Sequence, residues 1–233
     1  SGSHGRGAAG RLGGVMLVAL ALSIRAGHAA DGPTPDRSPL PVWRVGPYAG
    51  LGLNSPGGDK WGSVADRDHL IFGVRGSADV ARWDKLAVAF SPEIVPALII
   101  SNNPIYKTVP MQVGGVTRQT QVVVGYGPVY GLGIAPLGTE VTMRTGSTMQ
   151  AFAPVAVGVI WFTREVPVAN SKAYNYTIEL GGGLLWEYEP GRRIRFGYMF
   201  HHLSKAWSAM ENPGLDGDIF YVGMERTLAL PGP

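Results

Sequence analysis

The chain has no cysteine among its 233 residues, and only 16% of the residues are charged. Without thiols it has no disulfide framework, no cysteine-based metal site and no thiol nucleophile. The formal net charge of +3 is not gathered in a long basic run, so nucleic acid is a poor candidate partner. A sequence so poor in charge, with 34 glycines, disfavours a helical bundle and favours closely packed strands.

Several motifs that carry known chemistry are also absent. The chain contains no phosphate-binding loop and no G-x-S-x-G elbow around a nucleophilic serine. Its histidines are too scattered along the sequence to predict a metal site. We therefore expect neither a metal nor a cofactor.

The first 41 residues differ in pattern from the rest. In residues 1–30, Arg6 and Arg11 precede the apolar stretch "GGVMLVALALSI", and small residues follow it before position 31, which is typical of a secretory signal peptide. The alternative is an apolar helix that stays attached, although the stretch is short for a membrane span. Residues 31–41 are expected to form an extended polar leader because prolines interrupt helices and ladders. Residues 42–230 are expected to form one all-β domain.

Residues 174–188, "YNYTIELGGGLLWEY", have the clearest strand pattern. Even positions are apolar or glycine and odd positions are mostly polar or glycine, which is the period of two of a β-strand. Trp186 follows Tyr176 by ten residues, about the length of a strand that crosses a bilayer with tilt. Such aromatic girdles around an apolar band are typical of outer-membrane barrels. A soluble barrel with an apolar interior is the alternative, because alternation alone does not say which face points inward.

The same alternation recurs along the chain. Eight strands would close the smallest usual membrane barrel, and closure leaves no unpaired edge in lipid. We therefore predict an all-β fold, an eight-stranded antiparallel transmembrane barrel of the outer-membrane type. The predicted strands are 42–54, 69–81, 85–99, 120–134, 148–162, 174–188, 193–204 and 218–228.

Charged residues also fall on faces predicted to point inward. Glu93, Glu179 and Glu187 are expected to form a structural polar network in the lumen with Arg75 and Arg195.

Strand 193–204 ends in "HHLS", and its alternation separates the two histidines. His202 and Ser204 fall on the lipid-facing side, whereas His201 falls on the inner side and is expected to be an interior residue rather than a second base. If the amino end starts in the periplasm, this strand runs outward and the loop 205–217 is extracellular. His202 and Ser204 are then expected at the boundary of the outer leaflet, facing lipid, and in Gram-negative bacteria that leaflet is lipopolysaccharide.

A histidine two residues from a serine on one strand places both side chains on one face, with Cα atoms about 6.5 Å apart. This is the base and nucleophile pair that acyl transfer needs. Asp216 is a candidate to hold the imidazole tautomer, and Asn212 is a candidate donor to an oxyanion. Because His-x-Ser spacing also arises by chance, a polar strand end at the membrane interface is the alternative.

The segment "HHLSKAWSAMENPGLD" at 201–216 resembles the active-site segment of the lipid A 3-O-deacylase family. These are eight-stranded outer-membrane barrels that remove an ester-linked acyl chain from lipid A. The resemblance extends over about residues 150–228. It implies that Ser204 is the nucleophile, His202 the base and Asp216 the orienting acid, with Asn212 and Gly214 at the oxyanion and substrate-binding positions.

The sequence departs from the family pattern at three positions. Lys205 stands where asparagine is usual, Trp207 where a small residue is usual, and Asp216 where the longer glutamate is usual. Lys205 is a candidate ligand for a phosphate of lipid A, as a point charge.

Two functions from different classes follow. The first is a cofactor-free esterase of the cell outer membrane, which forms an acyl-enzyme at Ser204 and releases a 3-hydroxy fatty acid from lipid A. Its partners are lipopolysaccharide and outer-membrane lipids, and a homodimer is allowed. The second is a non-catalytic outer-membrane barrel, either an inactive relative or a small-solute channel.

Overall fold

The computed structural model describes residues 41–58, 61–206, 208–209 and 211–228. The predicted signal peptide lies outside these ranges, as do nearly all of the predicted leader and Trp207. Nowhere in the described ranges is there a helix with the length and apolar content of a membrane span.

The described chain forms nine antiparallel strands in one sheet. Strand β1 pairs with both β2 and β9, so the sheet closes on itself. Short β3 and the start of β4 share one place in the ring, between β2 and β5, which leaves a closed ring of eight strands. The strands are β1 Trp43–Gly52, β2 His69–Arg82, β3 Leu86–Phe90, β4 Glu93–Val113, β5 Val116–Met143, β6 Met149–Phe162, β7 Tyr174–Glu189, β8 Arg192–Ser204 and β9 Leu215–Thr227.

The predicted eight-stranded barrel is therefore confirmed, and most predicted strand bounds differ from the observed ones by a few residues. The predicted strand 85–99 is interrupted at Ser91 and Pro92, because proline has no N–H to give to the ladder. The predicted strand 120–134 is too short. The observed β5 continues past Pro136 through a register shift between Ile134 and Leu137, which accommodates the proline.

Strands β4 and β5 extend together far beyond the rest of the ring. They pair as far as Val113 and Val116, around a turn formed by Gly114 and Gly115. Both glycines have positive φ, of 60° and 81°, which a tight two-residue hairpin turn requires. The other connections at this end of the barrel are the loops 53–68, 163–173 and 205–214, whereas short turns join the strands at the opposite end.

The alternation separates the two faces of the wall as predicted. In β7 the side chains of Asn175, Thr177 and Glu179 are buried inside, whereas Tyr176 and Trp186 are exposed on the outside. Exposed aromatic residues mark both ends of the outer wall. They are Tyr130, Trp161 and Tyr176 at the end with long loops, and Trp83, Trp186 and Tyr188 at the end with short turns.

The interior contains buried ion pairs beside a cluster of buried apolar side chains, and the ion pairs confirm the lumenal network for four of its five predicted members. Arg75 binds Glu93 at 2.5 Å and lies 3.6 Å from Glu179. Arg195 binds Glu140 at 2.6 Å and also pairs with Glu225. These side chains are buried, and hydrogen bonds between the two arginines and Glu93, Glu140 and Glu225 offset their charges, whereas Oε2 of Glu179 accepts no hydrogen bond within the described residues. The fifth member, Glu187, instead accepts a hydrogen bond from the N–H of Gly191 in the turn after β7.

Candidate active site

The strongest contact at the end of β8 joins His202 to Asp216. The two residues lie directly opposite each other in the β8–β9 register, so their side chains meet on the outer face. Nδ1 of His202 lies 2.6 Å from Oδ1 of Asp216. When Nδ1–H donates a hydrogen bond to the carboxylate, Nε2 is left unprotonated and can accept a proton. Because the register brings the two residues together, the short side chain of aspartate is long enough to reach the ring.

The second carboxylate oxygen is held by the loop between β1 and β2. Oδ2 of Asp216 accepts hydrogen bonds from the N–H of Gly62 at 2.9 Å and of Trp61 at 3.2 Å. Asp216 is fully buried, and these bonds offset the cost of removing its charge from water. The loop is fixed further by the N–H of Ser63, which donates to the carbonyl of Pro213 at 2.7 Å.

The indole of Trp61 covers His202. The two rings meet edge to face, with centroids 5.5 Å apart, and the same indole contacts Phe200 at 5.4 Å. His202 is consequently only 7% exposed, although it lies on the outer face of the strand. The expectation that His202 faces lipid therefore needs correction: its side chain points outward but lies under Trp61, itself 54% exposed.

Ser204 ends β8 on the same face as His202. It lies opposite Tyr176 of β7, an exposed aromatic residue at the end with long loops, and is itself half-buried. The serine is thus at the height where the apolar wall ends and the long loops begin. His201 points inward and is fully buried, as predicted.

Lys205 does not lie on the surface, where a ligand for a phosphate of lipid A is expected. It is fully buried, and its Nζ donates to the carbonyl of Tyr174 at 2.6 Å and to that of Lys172. Burial lowers the pKa of Lys205 to about 8. The ammonium ties the β8–β9 loop to the end of the loop before β7, and it is not presented to an anion outside the barrel.

Asn212 and Gly214 both lie in the loop 205–214, close to the histidine. Oδ1 of Asn212 accepts a hydrogen bond from the N–H of Lys205 at 2.7 Å, which directs the amide nitrogen Nδ2 away from that contact. Gly214 has φ of +67°, and a Cβ there would lie 2.9 Å from the carbonyl oxygen of Trp61 and 3.1 Å from Cε1 of His202. Glycine at 214 therefore lets both loops approach the imidazole.

The structure brings His202, Asp216 and Gly214 into one cluster, with Ser204 on the same face and Asn212 in the same loop. Sequence reasoning missed Trp61 and Gly62, which lie 155 and 154 positions before Asp216 in the chain. Neither has a motif or spacing that signals its role. Among the described residues, no group of three or more histidine, aspartate or glutamate side chains is arranged to hold a metal ion.

Comparison with known families gives one match over most of the chain. The family model described as lipid A 3-O-deacylase (PagL) matches residues 48–225. No curated protein sequence matches the chain significantly.

Solved structures with a similar fold are outer-membrane proteins. The outer membrane enzyme PagL aligns with a TM-score of 0.56 at 11% identity, over 76% of this chain and 97% of that one. Neisserial surface protein A aligns with a TM-score of 0.47 at 12% identity, over 80% and 97% of the two chains. Ail of Yersinia pestis, solved with a heparin analogue, aligns with a TM-score of 0.42 at 8% identity, over 80% and 99%.

Proposed function

Because the chain belongs to the lipid A 3-O-deacylase family, we propose that it hydrolyses the 3-O-linked acyl ester of lipid A with Ser204, His202 and Asp216. The observation that carries this proposal is the hydrogen bond of 2.6 Å between His202 and the buried carboxylate of Asp216. It orients an imidazole on the outer face of the barrel, two residues from a serine.

The reaction proceeds in two steps. Nε2 of His202 takes the proton of the Ser204 hydroxyl as its oxygen attacks the ester carbonyl, and the sugar hydroxyl leaves with that proton. Water then attacks the acyl-enzyme with the same histidine as base, releasing the fatty acid and restoring Ser204. Throughout, Asp216 accepts a hydrogen bond from Nδ1–H of His202 and stabilises the imidazolium while remaining ionised.

The negative charge that develops on the carbonyl oxygen needs a donor that is oriented in advance. The family pattern has asparagine at the position after the serine, but here Lys205 is buried and its Nζ donates to two carbonyls. We assign the donor to Nδ2 of Asn212, whose Oδ1 is engaged by the backbone N–H of Lys205. Gly214 lets the loop with Trp61 close on the imidazole, because a Cβ there would lie 2.9 Å from the carbonyl oxygen of Trp61.

The interior argues against the alternative of a small-solute channel. Ion pairs and buried apolar side chains fill the described lumen, and the cavity between Tyr48, Arg75 and Arg195 has a volume of only about 10 Å³. A space of that size holds about one water molecule. An inactive relative remains the alternative, and the experiment below separates it from the enzyme.

We also propose that the site faces the outer leaflet of the outer membrane, where lipid A resides. Outer-membrane barrels have short periplasmic turns and longer extracellular loops, and the site lies at the end with long loops. The homodimer remains a prediction.

Mass spectrometry of lipid A from cells with and without the chain tests the proposal. We expect lipid A to lose one ester-linked acyl chain when the wild-type protein is present. The Ser204→Ala variant should accumulate in the outer membrane and leave lipid A intact. Lipid A that is unchanged by the wild-type protein, folded in the membrane, would favour the inactive relative.

A further inference from the structure

Two arginines lie opposite each other on the outer wall, at the end of the barrel with short turns. Arg192 of β8 and Arg226 of β9 are direct partners in the strand register, and both are exposed. Each lies two residues from an outward apolar residue of its own strand, Ile194 or Met224, so both side chains point outward. Directly opposite residues have Cβ atoms about 4.5–5.5 Å apart, and like charges at that spacing destabilise a sheet. An anion between the two guanidinium groups would remove this repulsion.

The protein itself supplies one carboxylate to this pair. Oε2 of Glu189 lies 3.0 Å from Arg192, and both side chains are about half exposed. Within the part of the chain that the structure describes, no group accepts a hydrogen bond from the guanidinium of Arg226. The neighbouring Glu225 points into the lumen, where it pairs with Arg195. Two arginines and one glutamate therefore leave a net charge of +1 on this part of the outer face.

A groove lies on the wall beside the arginines. Its volume is about 240 Å³, compared with about 10 Å³ for the cavity in the lumen. Both arginines lie along it, and the other outward side chains are apolar or aromatic. We call it the rim groove, and these side chains are Val45, Pro47, Tyr188, Arg192, Met224 and Arg226.

The rim groove lies where the hydrocarbon of a membrane meets its head groups. Tyr188 is one of the exposed aromatic residues that mark the end with short turns, and such residues lie at the level of the head groups. It is level with the arginines, because its neighbour Glu189 pairs with Arg192 in the register. Met224 lies two residues, about 6.6 Å, nearer the middle of the wall than Arg226. The groove thus presents cations at the head groups and apolar side chains toward the hydrocarbon.

We propose that the rim groove binds an anionic phospholipid, with its phosphate between Arg192 and Arg226 and the start of an acyl chain against Pro47 and Met224. Each guanidinium can donate two parallel hydrogen bonds to phosphate oxygens. A head group with a net charge of −1 matches the charge of the site, whereas a zwitterionic head group would bring a further cation to the arginines.

The proposed orientation of the barrel decides which leaflet supplies this lipid. Short turns are periplasmic in outer-membrane barrels, so the rim groove faces the inner leaflet, which consists of phospholipids. The inference does not depend on the proposed hydrolysis, because His202 and Ser204 lie at the opposite end of β8 from Arg192.

Native mass spectrometry of the purified full chain in non-ionic detergent tests the proposal. The probes are phosphatidylglycerol, which is anionic, and phosphatidylcholine with the same acyl chains. We expect the wild-type protein to bind phosphatidylglycerol more tightly than phosphatidylcholine. Arg192→Gln and Arg226→Gln should each weaken binding of phosphatidylglycerol by about fivefold, the contribution of one basic residue near an anionic membrane surface, and leave binding of phosphatidylcholine unchanged.

Lys85→Gln is the matched control. It removes one positive charge from an exposed position at the same end of the barrel, before β3, which lies across the ring from β8. It should bind phosphatidylglycerol as the wild-type protein does. Equal affinity of the wild-type protein for the two lipids would overturn the site, as would an equal loss in Lys85→Gln and Arg226→Gln. Tighter binding of lipid A than of phosphatidylglycerol at these arginines would overturn the assignment to a phospholipid.

Thermal unfolding gives a second readout of the arginine pair. In lipid-free detergent, Arg226→Gln should unfold at or above the temperature of the wild-type protein, because the repulsion is gone. Added phosphatidylglycerol should raise the unfolding temperature of the wild-type protein more than that of the variant, since a ligand stabilises the state that binds it. A variant that unfolds below the wild-type temperature without lipid, and gains as much from the lipid, would refute the proposal.

Discussion

Replacing Asp216 with asparagine tests the proposed triad most directly, because each of the two carboxylate oxygens accepts hydrogen bonds from a different part of the site. Oδ1 accepts from His202, and Oδ2 accepts from the N–H groups of Trp61 and Gly62. An asparagine has one oxygen and one NH₂ group, so it can accept hydrogen bonds from His202 or from the loop, but not from both.

Both orientations of the new amide damage the site. If its oxygen accepts from the loop, its NH₂ group faces Nδ1 of His202 and favours the tautomer with the proton on Nε2, which cannot accept a proton from Ser204. If its oxygen faces the ring, its NH₂ group faces two N–H donors of the loop and no acceptor. By analogy with the corresponding change in a known Ser-His-Asp triad, we expect turnover to fall by about 10⁴. This corresponds to a barrier about 5.5 kcal/mol higher, at about 1.36 kcal/mol for each factor of ten.

The fold should survive this change. The closed ring does not depend on Asp216, and loss of a charge-assisted hydrogen bond costs about 1.5–3 kcal/mol of stability. The assay measures release of fatty acid from lipid A by mass spectrometry, together with the different gel mobility of folded and heated barrel. Asp216→Glu, which keeps the charge and has the acid usual in the family, should retain more turnover than Asp216→Asn.

A folded Asp216→Asn variant that works within tenfold of the wild-type rate would refute the role of the carboxylate. Asp218→Asn provides the comparison, since it changes the neighbouring outward carboxylate without touching His202. Should Asp218→Asn abolish turnover on every substrate while Asp216→Asn has no effect, the assignment of the acid is wrong by two residues.

Three further predictions follow from the same contacts. Ser204→Ala and His202→Asn should each abolish deacylation. Because triad members act as a unit, the double variant should be hardly worse than either single variant, and single-turnover kinetics would measure the difference. Gly62→Ala should lower turnover while the barrel stays folded. The new Cβ would lie 2.8 Å from the backbone nitrogen of Leu215 and would move the loop away from Asp216. Unchanged turnover would contradict this. Lys205 should titrate near pH 8 in NMR spectra of labelled lysine rather than at its ordinary pKa of 10.5. Because its folded pKa is lowered, the folded chain releases this proton first, so the contribution of Lys205 to the unfolding free energy should rise as pH increases from about 8 to 10.5.

Much of the barrel wall could be predicted from consecutive residues. The period of two in 174–188 assigned Tyr176 and Trp186 to the outer face and Glu179 to the lumen, and the structure agrees. This works because alternate side chains of any strand point to opposite faces, whatever the strand pairs with. The same rule separated His201 from His202. The extent of β5 could not be predicted this way, since Pro136 looks like a strand end and only the register shift beside it lets pairing continue.

The environment of the candidate site depends on strand pairing and on closure of the ring. The sequence placed His202 and Asp216 in one segment, but their contact depends on the β8–β9 register, which pairs them directly. Trp61 and Gly62 reach Asp216 because β1 pairs with β9 and brings the first loop beside the last strand. The burial of Lys205 likewise depends on the carbonyls of Lys172 and Tyr174, just before and at the start of β7, 33 and 31 residues earlier in the chain. Periodicity is a local property and can be read from neighbours in the chain. These contacts depend instead on which residues the strand pairing brings together, and those of Trp61 and Gly62 form only when the two ends of the sheet meet.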